Sequence, residues 1–236
     1  MEKTFCYGCM REIAGNETVC EHCGYVIDST PKEPYHLIPG TIIQGRYLIG
    51  KVLGYGGFGV TYVGLDLVLE KKIAVKEYLP SDFSTRMPGQ TLLTVYSGES
   101  GEQFADGLES FIQEARRLAK FNDVPGVVEI MDSFTSNNTA YIVMEFLEGE
   151  TAKSRLEKNG LFSFEDAATL VVAILDVLEE VHKSGIIHRD ISPDNIFITT
   201  EGEIKLLDFG AARYATTTHS KSLSVILKPG YAPEEQ

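Results

Sequence analysis

Apolar and polar positions change period several times along the chain, and each change marks an element. Tyr47 to Leu53 and Val60-Thr61-Tyr62-Val63-Gly64 are β-favouring runs, so the glycines between them read as the tip of a hairpin. Lys71-Lys72-Ile73-Ala74-Val75-Lys76 reads as a buried strand that ends in a lysine. From about Leu108 to Phe121 the period is helical, with Phe111, Glu114, Ala115 and Leu118 on one face. Ser163 caps a second helix over Phe164 to Lys183, whose stripe Ala167, Val171, Ile174, Leu178 and Val181 recurs at spacings of four and three; Gly185 stops it. Ile196 to Thr199 and Ile204 to Leu207 flank the turn Thr200-Glu201-Gly202-Glu203 and predict another hairpin, pairing 196 with 207 and 199 with 204. That register sets Asn195 beside Asp208.

Composition narrows the class. With 236 residues, 43% hydrophobic and 23% charged, the chain is long enough for one to two domains and is neither fibrous nor disordered. A net charge of -13 argues against holding nucleic acid by bulk electrostatics. No stretch reaches the roughly 18 apolar residues of a bilayer span. The start MEKTFCYGCM lacks a signal-peptide core, so a cytoplasmic protein is expected.

All four cysteines lie in the first 23 residues, as Cys6-x2-Cys9 and Cys20-x2-Cys23. Two such knuckles offer four thiolates to one tetrahedral Zn2+, and in a cytoplasmic chain this outweighs two disulfides or a redox pair. Residues 1–28 thus read as a zinc ribbon, with His22 a solvent-facing bystander. Lys3, Arg11 and Lys32 stand against Glu2, Glu12, Glu17, Glu21, Asp28 and Glu33, which disfavours a phosphate-tracking surface and leaves a structural role or a protein partner. Residues 29–40 hold three prolines without periodicity and read as a linker.

Three constellations carry candidate chemistry. Gly54-x-Gly56-x-x-Gly59, with Gly57 between, sits on a hairpin rather than opening a helix, where backbone N–H groups can approach phosphates. Lys76 needs a counter-ion or phosphate, and Glu114, a carboxylate on an apolar face, is the matching charge. Asn195 and Asp208 offer two oxygens to a hard cation, the number a triphosphate-borne Mg2+ requires.

The ordered set Gly54 to Gly59, Ile73-Ala-Val-Lys76, Glu114, His188-Arg-Asp190-x4-Asn195, Asp208-Phe-Gly210 and Ala232-Pro-Glu234 resembles a eukaryotic-type protein kinase of the bacterial serine/threonine group over residues 41–236. The resemblance implies an α+β, bilobal fold: a β-rich N lobe and hinge over 41–147, and a helical C lobe over 148–236. It implies an enzyme that transfers the γ-phosphoryl of ATP, with Mg2+, to Ser/Thr hydroxyls of protein substrates. Leu53, Gly54, Tyr55, Gly56, Gly57, Phe58, Gly59, Val60 and Thr61 would cover the nucleotide, Lys76 hold its phosphates and Glu114 orient Lys76. Asp190 would act on the substrate hydroxyl, and Asn195 and Asp208 would hold Mg2+. Tyr141 to Leu147 resembles the fifth strand and hinge, with Met144 as gatekeeper, Glu145 and Leu147 bonding adenine, and Ala74 above it.

Three departures from the family pattern are legible. Ser192 stands where a lysine usually follows the catalytic aspartate, and Lys228 stands where a threonine is usual, so Lys228 is expected to supply the missing cation. Glu77 to Gln113 is longer than the usual connection and suggests a loop, a short strand within Thr91 to Tyr96 and a turn, with Arg86 on the surface. The chain stops two residues after Glu234, so the C lobe is expected to be truncated after the Ala-Pro-Glu motif. The rival reading is a catalytically silent nucleotide-binding or scaffolding module.

Overall fold

The computed structural model describes residues 3–28, 30–56 and 58–208, with the backbone of 213–214. It divides into two units, Met1–Ile112 with Ile130–Phe146, and Gln113–Glu129 with Leu147–Gln236.

In the first unit, β1 (Thr4–Phe5) pairs with β2 (Glu12–Ile13) in the cysteine segment. The main sheet then uses β3 (Ile42–Ile43), β4 (Tyr47–Gly56), β5 (Gly59–Asp66) and β6 (Lys71–Tyr78). A hairpin of β7 (Ser84–Arg86) and β8 (Leu93–Val95) fills the long connection before helix α1 (Glu99–Leu118). Strands β9 (Ile130–Ser136) and β10 (Thr139–Glu145) complete a six-stranded sheet ordered β3-β4-β5-β6-β10-β9.

Strand alternation sorts β6 into two faces. Register pairs Lys76 with Thr61 and Ile142, and Ala74 with Val63 and Met144, so these side chains share one face. Glu77 pairs with Val60 and Tyr141 and points to the other. There its carboxylate, with no exposure, accepts hydrogen bonds from both Arg86 terminal nitrogens, from Tyr62 Oη at 2.9 Å and from Tyr141 Oη at 2.8 Å. Burial, and next the Glu77 charge, push both phenols up, which keeps them protonated donors. Arg86, expected on the surface, is 2% exposed and also bonds the carbonyls of Thr91 and Tyr35. A short β7 places it directly under the sheet, a placement no local pattern announces.

The cysteine segment is fastened to this sheet. Met10 is buried with Leu48, Val63 and Leu65, flanked by Phe5, Tyr7 and Phe146. The Tyr7 carbonyl accepts the Lys51 N–H at 2.8 Å. Gly50 permits that approach, since a Cβ there would overlap Met10 Cε and the Tyr7 carbonyl. Residues 35–40 are equally held: Leu37 N–H donates to Tyr62 Oη at 3.1 Å and Gly40 N–H to the Ile49 carbonyl at 2.8 Å. A segment without periodicity thus spends its polar backbone on the sheet.

The second unit holds β11 (Gly149–Thr151), helix α2 (Ala152–Asn159), helix α3 (Phe164–Lys183), β12 (Ile186–Ile187), β13 (Ile196–Thr199), β14 (Ile204–Leu206) and β15 (Arg213–Tyr214). Asp166 N–H donates to Ser163 Oγ at 3.1 Å, the expected cap of α3. Ile174, Val177 and Val181 are buried, whereas Val171 of the expected stripe is 52% exposed. The hairpin register differs by one residue from expectation: Ile196 pairs with Leu206 and Ile198 with Ile204. Thr199 N–H donates to the Glu203 carbonyl at 2.9 Å, closing a three-residue loop whose Gly202 adopts φ +86°. A three-residue loop with glycine in the left-handed region replaces the four-residue turn that the sequence suggests.

Arg86→Met should destabilise the protein by about 3–5 kcal/mol in urea unfolding, because it leaves the Glu77 charge buried and uncompensated. The double variant with Glu77→Gln should recover part of that loss. A single variant as stable as wild type, or a double variant no better than Arg86→Met, would refute this account.

Candidate functional site

On the first unit, β4 and β5 close toward the glycine tip, with Gly54 opposite Thr61, Tyr55 opposite Val60 and Gly56 opposite Gly59. Leu53, Tyr55 and Phe58 are exposed there. Thr61 therefore shares the Lys76 face with Ala74 and Met144, while the Val60 and Tyr55 side chains turn to the Glu77 face. Lys76 is half-buried, its Nζ 5.8 Å from the centre of the Phe111 ring. Glu145 pairs with Ile73 at the end of β10 and is half-buried; Leu147, which belongs to the second unit, is half-buried too. Glu114, on the end of α1 that belongs to the second unit, is buried at 7% exposure.

On the second unit, the loop between β12 and β13 is built around a buried imidazole. His188 Nδ1 accepts the Asp190 N–H at 3.2 Å, so Nε2 carries the proton toward the Leu207 carbonyl at 3.1 Å. Burial pushes the imidazole down, against the opposing pull of the Asp208 and Asp190 charges, which favours the neutral form this arrangement needs. Asn195 Nδ2 donates to the Asp190 carbonyl at 2.9 Å and to its Oδ2 at 2.7 Å. Asn195 N–H also donates to the Ser192 carbonyl at 2.9 Å, and its own carbonyl accepts the Leu207 N–H at 2.8 Å. Asn195 is therefore joined to Asp190 and faces Leu207, with exposed Asp208 the next residue along. Arg189 and Asp208 adopt φ +66° and +53°, a conformation that costs non-glycine residues energy and often marks functional loops. Ser192 is 2% exposed. Phe209, Gly210, Lys228, Ala232, Pro233 and Glu234 lie outside the described residues, as does Gly57.

The four cysteine sulfurs all lie within 4.8 Å of one another, with Cys6 and Cys23 at 3.7 Å and Cys9 and Cys20 at 3.9 Å. These are free thiols, not disulfides. A tetrahedron of Zn–S bonds of about 2.3 Å spaces its sulfurs by about 3.8 Å, so the donor set fits such an ion. Gly8 N–H points at Cys6 Sγ at 3.3 Å, a contact that suits a thiolate. Burial pushes the Cys9 thiol up and the Cys6 thiol up to about 12. At Cys20 burial is outweighed by the N–H groups of His22 and Cys23, which bring the thiol down to about 7. His22 is exposed and takes no part.

Sequence reading overlooked Glu77. Its signal was a second charge directly after Lys76 in a strand whose neighbours on both faces are apolar.

A sheet unit with a glycine hairpin and a lysine strand, and a helical unit with a His-Arg-Asp loop, are the parts of an α+β kinase-type fold. The protein kinase domain model matches residues 47–236, and the chain belongs to the protein kinase family. It is 32% identical to a probable serine/threonine-protein kinase PknB of Bifidobacterium longum, over 84% of this chain and 28% of that protein. Serine/threonine-protein kinase PrkC of Bacillus subtilis is 31% identical over 85% and 28%, and PknA of Mycobacterium tuberculosis 33% identical over 74% and 37%. The chain thus spans only 28–37% of these curated relatives' length. Among solved structures, the apo form of PpkA-294 superposes with a TM-score of 0.70 at 34% identity, covering 75% of this chain and 62% of that one.

Because the folded His188 resists protonation, stability should fall as pH drops below about 6.5, where the unfolded chain takes up a proton that the folded chain refuses. In His188→Gln, the unfolding free energy measured between pH 7 and 5 should depend less steeply on pH than in wild type. Equal slopes would show that His188 does not contribute to this linkage.

Proposed function

We propose that this chain is the catalytic region of an ATP- and Mg2+-dependent protein kinase that phosphorylates Ser or Thr hydroxyls of protein substrates. The observation that carries the reading is the loop in which Asn195 grips Asp190 by both backbone and carboxylate, on a chain of the kinase family. Asp190, held at a defined angle, orients the substrate hydroxyl and accepts its proton. With its amide nitrogen spent on Asp190, Asn195 keeps Oδ1 for the metal, and Asp208 follows it in space as the second ligand. Lys76, on the face shared by Thr61, Ala74 and Met144, binds the phosphates, and Glu114 orients it. Bound Mg2+ neutralises charge on the transferring phosphoryl group. The glycine hairpin from Leu53 to Thr61 covers the phosphates through its backbone, and the backbone of Glu145 and Leu147 bonds the adenine.

The same reading gives Cys6, Cys9, Cys20 and Cys23 a structural Zn2+. Met10 and Tyr7 are turned into the sheet, which supports a bracing role over a partner-docking one. No helix among the described residues is long and apolar enough to cross a membrane. Four cysteines held as free thiols suit the reducing conditions of a cytoplasmic location. One observation favours the silent-module reading: the residue two beyond Asp190 is the small, buried Ser192. Lys228, outside the described residues, is proposed to supply that cation.

The full-length protein should transfer label from γ-labelled ATP to itself or to a generic protein, and Asp190→Ala should reduce this by about 10²-fold or more. No transfer by wild type, or equal transfer by the variant, would establish the silent module. Native mass spectrometry should find one zinc ion per chain, lost in the Cys9→Ser, Cys23→Ser double variant together with several degrees of melting temperature. A metal-free wild type with an unchanged melting temperature on chelation would remove the zinc assignment.

A further inference from the structure

The segment between the cysteine knuckles and the sheet reaches the glycine hairpin through aromatic contacts. The His36 ring lies 5.4 Å from that of Tyr55 at an interplanar angle of 64°, and Lys32 Nζ lies 4.9 Å from the centre of the Tyr55 ring. Tyr55 stands opposite Val60, on the Glu77 face of the sheet, so this grip comes from the side away from Lys76. His36 is itself immobilised, at 1% exposure, edge-on to Tyr35 at 4.8 Å and to Tyr62 at 6.3 Å. Its neighbours are bolted on both sides: the Tyr35 carbonyl accepts from Arg86 at 2.9 Å and Leu37 N–H donates to Tyr62 Oη.

Neither ring nitrogen of His36 has a hydrogen-bond partner among the described residues. Burial, then the Arg86 and Lys32 charges, push its imidazole down to about 4. Near neutral pH it is an uncharged aromatic plate and nothing more. A glycine tip has little side-chain substance with which to order itself, so its position must come from neighbours. Tyr55 is the handle the hairpin offers.

We infer that Lys32 and His36 are positioning residues that hold the glycine hairpin through Tyr55 and set where its tip lies over the nucleotide phosphates. This rests on the nucleotide reading of the hairpin proposed above. The segment before the kinase domain is thereby part of its nucleotide grip, anchored through the Glu77–Arg86 cluster. A pre-ordered hairpin improves binding of ground and transition states alike, so its loss acts on KM for ATP rather than on kcat.

In the full-length protein, His36→Ala should raise KM for ATP about three- to tenfold, the scale of one aromatic pair, with kcat on a generic protein substrate within about twofold. His36→Phe should keep wild-type values, because the ring nitrogens are unused. Hydrogen exchange without nucleotide should speed up in His36→Ala over residues 53–60 while β6 and β10 keep their protection. Unchanged exchange and KM in His36→Ala overturn the inference, and so does a loss of protection spread evenly over β6 and β10, which marks general loosening. A wild-type protein that binds no ATP overturns the nucleotide reading instead, and the exchange contrast then still decides whether His36 holds the hairpin.

Discussion

A carboxylate with no access to water constrains the whole first unit. A buried carboxylate is costly unless its oxygens are hydrogen-bonded, and the donors to Glu77 come from three separate places, Arg86 on the inserted hairpin, Tyr62 on β5 and Tyr141 on β10, of which Arg86 and Tyr62 also hold residues 35 and 37. Breaking any one of these exposes the cost of the buried charge, so the insertion and the preceding segment are fixed to the sheet rather than hung from it. Strand alternation does the rest. With Glu77 committed to one face, Lys76 is committed to the other, alongside Thr61, Ala74 and Met144.

The cysteine segment shows how a small module with little core of its own borrows one. Two knuckles bring four sulfurs within reach of a single ion, but the apolar side chain that secures them, Met10, is buried among residues of β4 and β5. Gly50 matters here for what it lacks: without a Cβ, β4 lets another backbone lie against it. The long proline-containing stretch that follows is structured by hydrogen bonds to strand edges and tyrosine hydroxyls, not by its own periodicity.

The loop of the second unit depends on a similar economy. One neutral imidazole, buried and bonded at both nitrogens, ties the start of the loop to Leu207, and Asn195 ties Asp190 to the strand that leaves it. A three-residue turn instead of a four-residue one moved the strand register by one, so Asn195 meets Leu207 and not Asp208. The expected pairing of Asn195 with Asp208 is replaced by a sequential one, in which Asp208, exposed and in the left-handed region, follows Leu207.

Order and spacing alone made the glycine hairpin, the lysine strand, the capped helix α3, the cysteine cluster and the His-Arg-Asp loop legible, because each is written in local periodicity, capping chemistry or ligand spacing. The structure departs from the sequence expectation at Arg86, buried rather than on the surface, at residues 35–40, bonded to the sheet rather than a plain linker, and in the β13–β14 register, which differs by one position. These departures share a cause. Burial of a charge, the fastening of an aperiodic segment and the choice between two turn lengths are decided by groups far away in the chain, and only folding brings Glu77, Arg86, Tyr62 and Tyr141 close enough to choose.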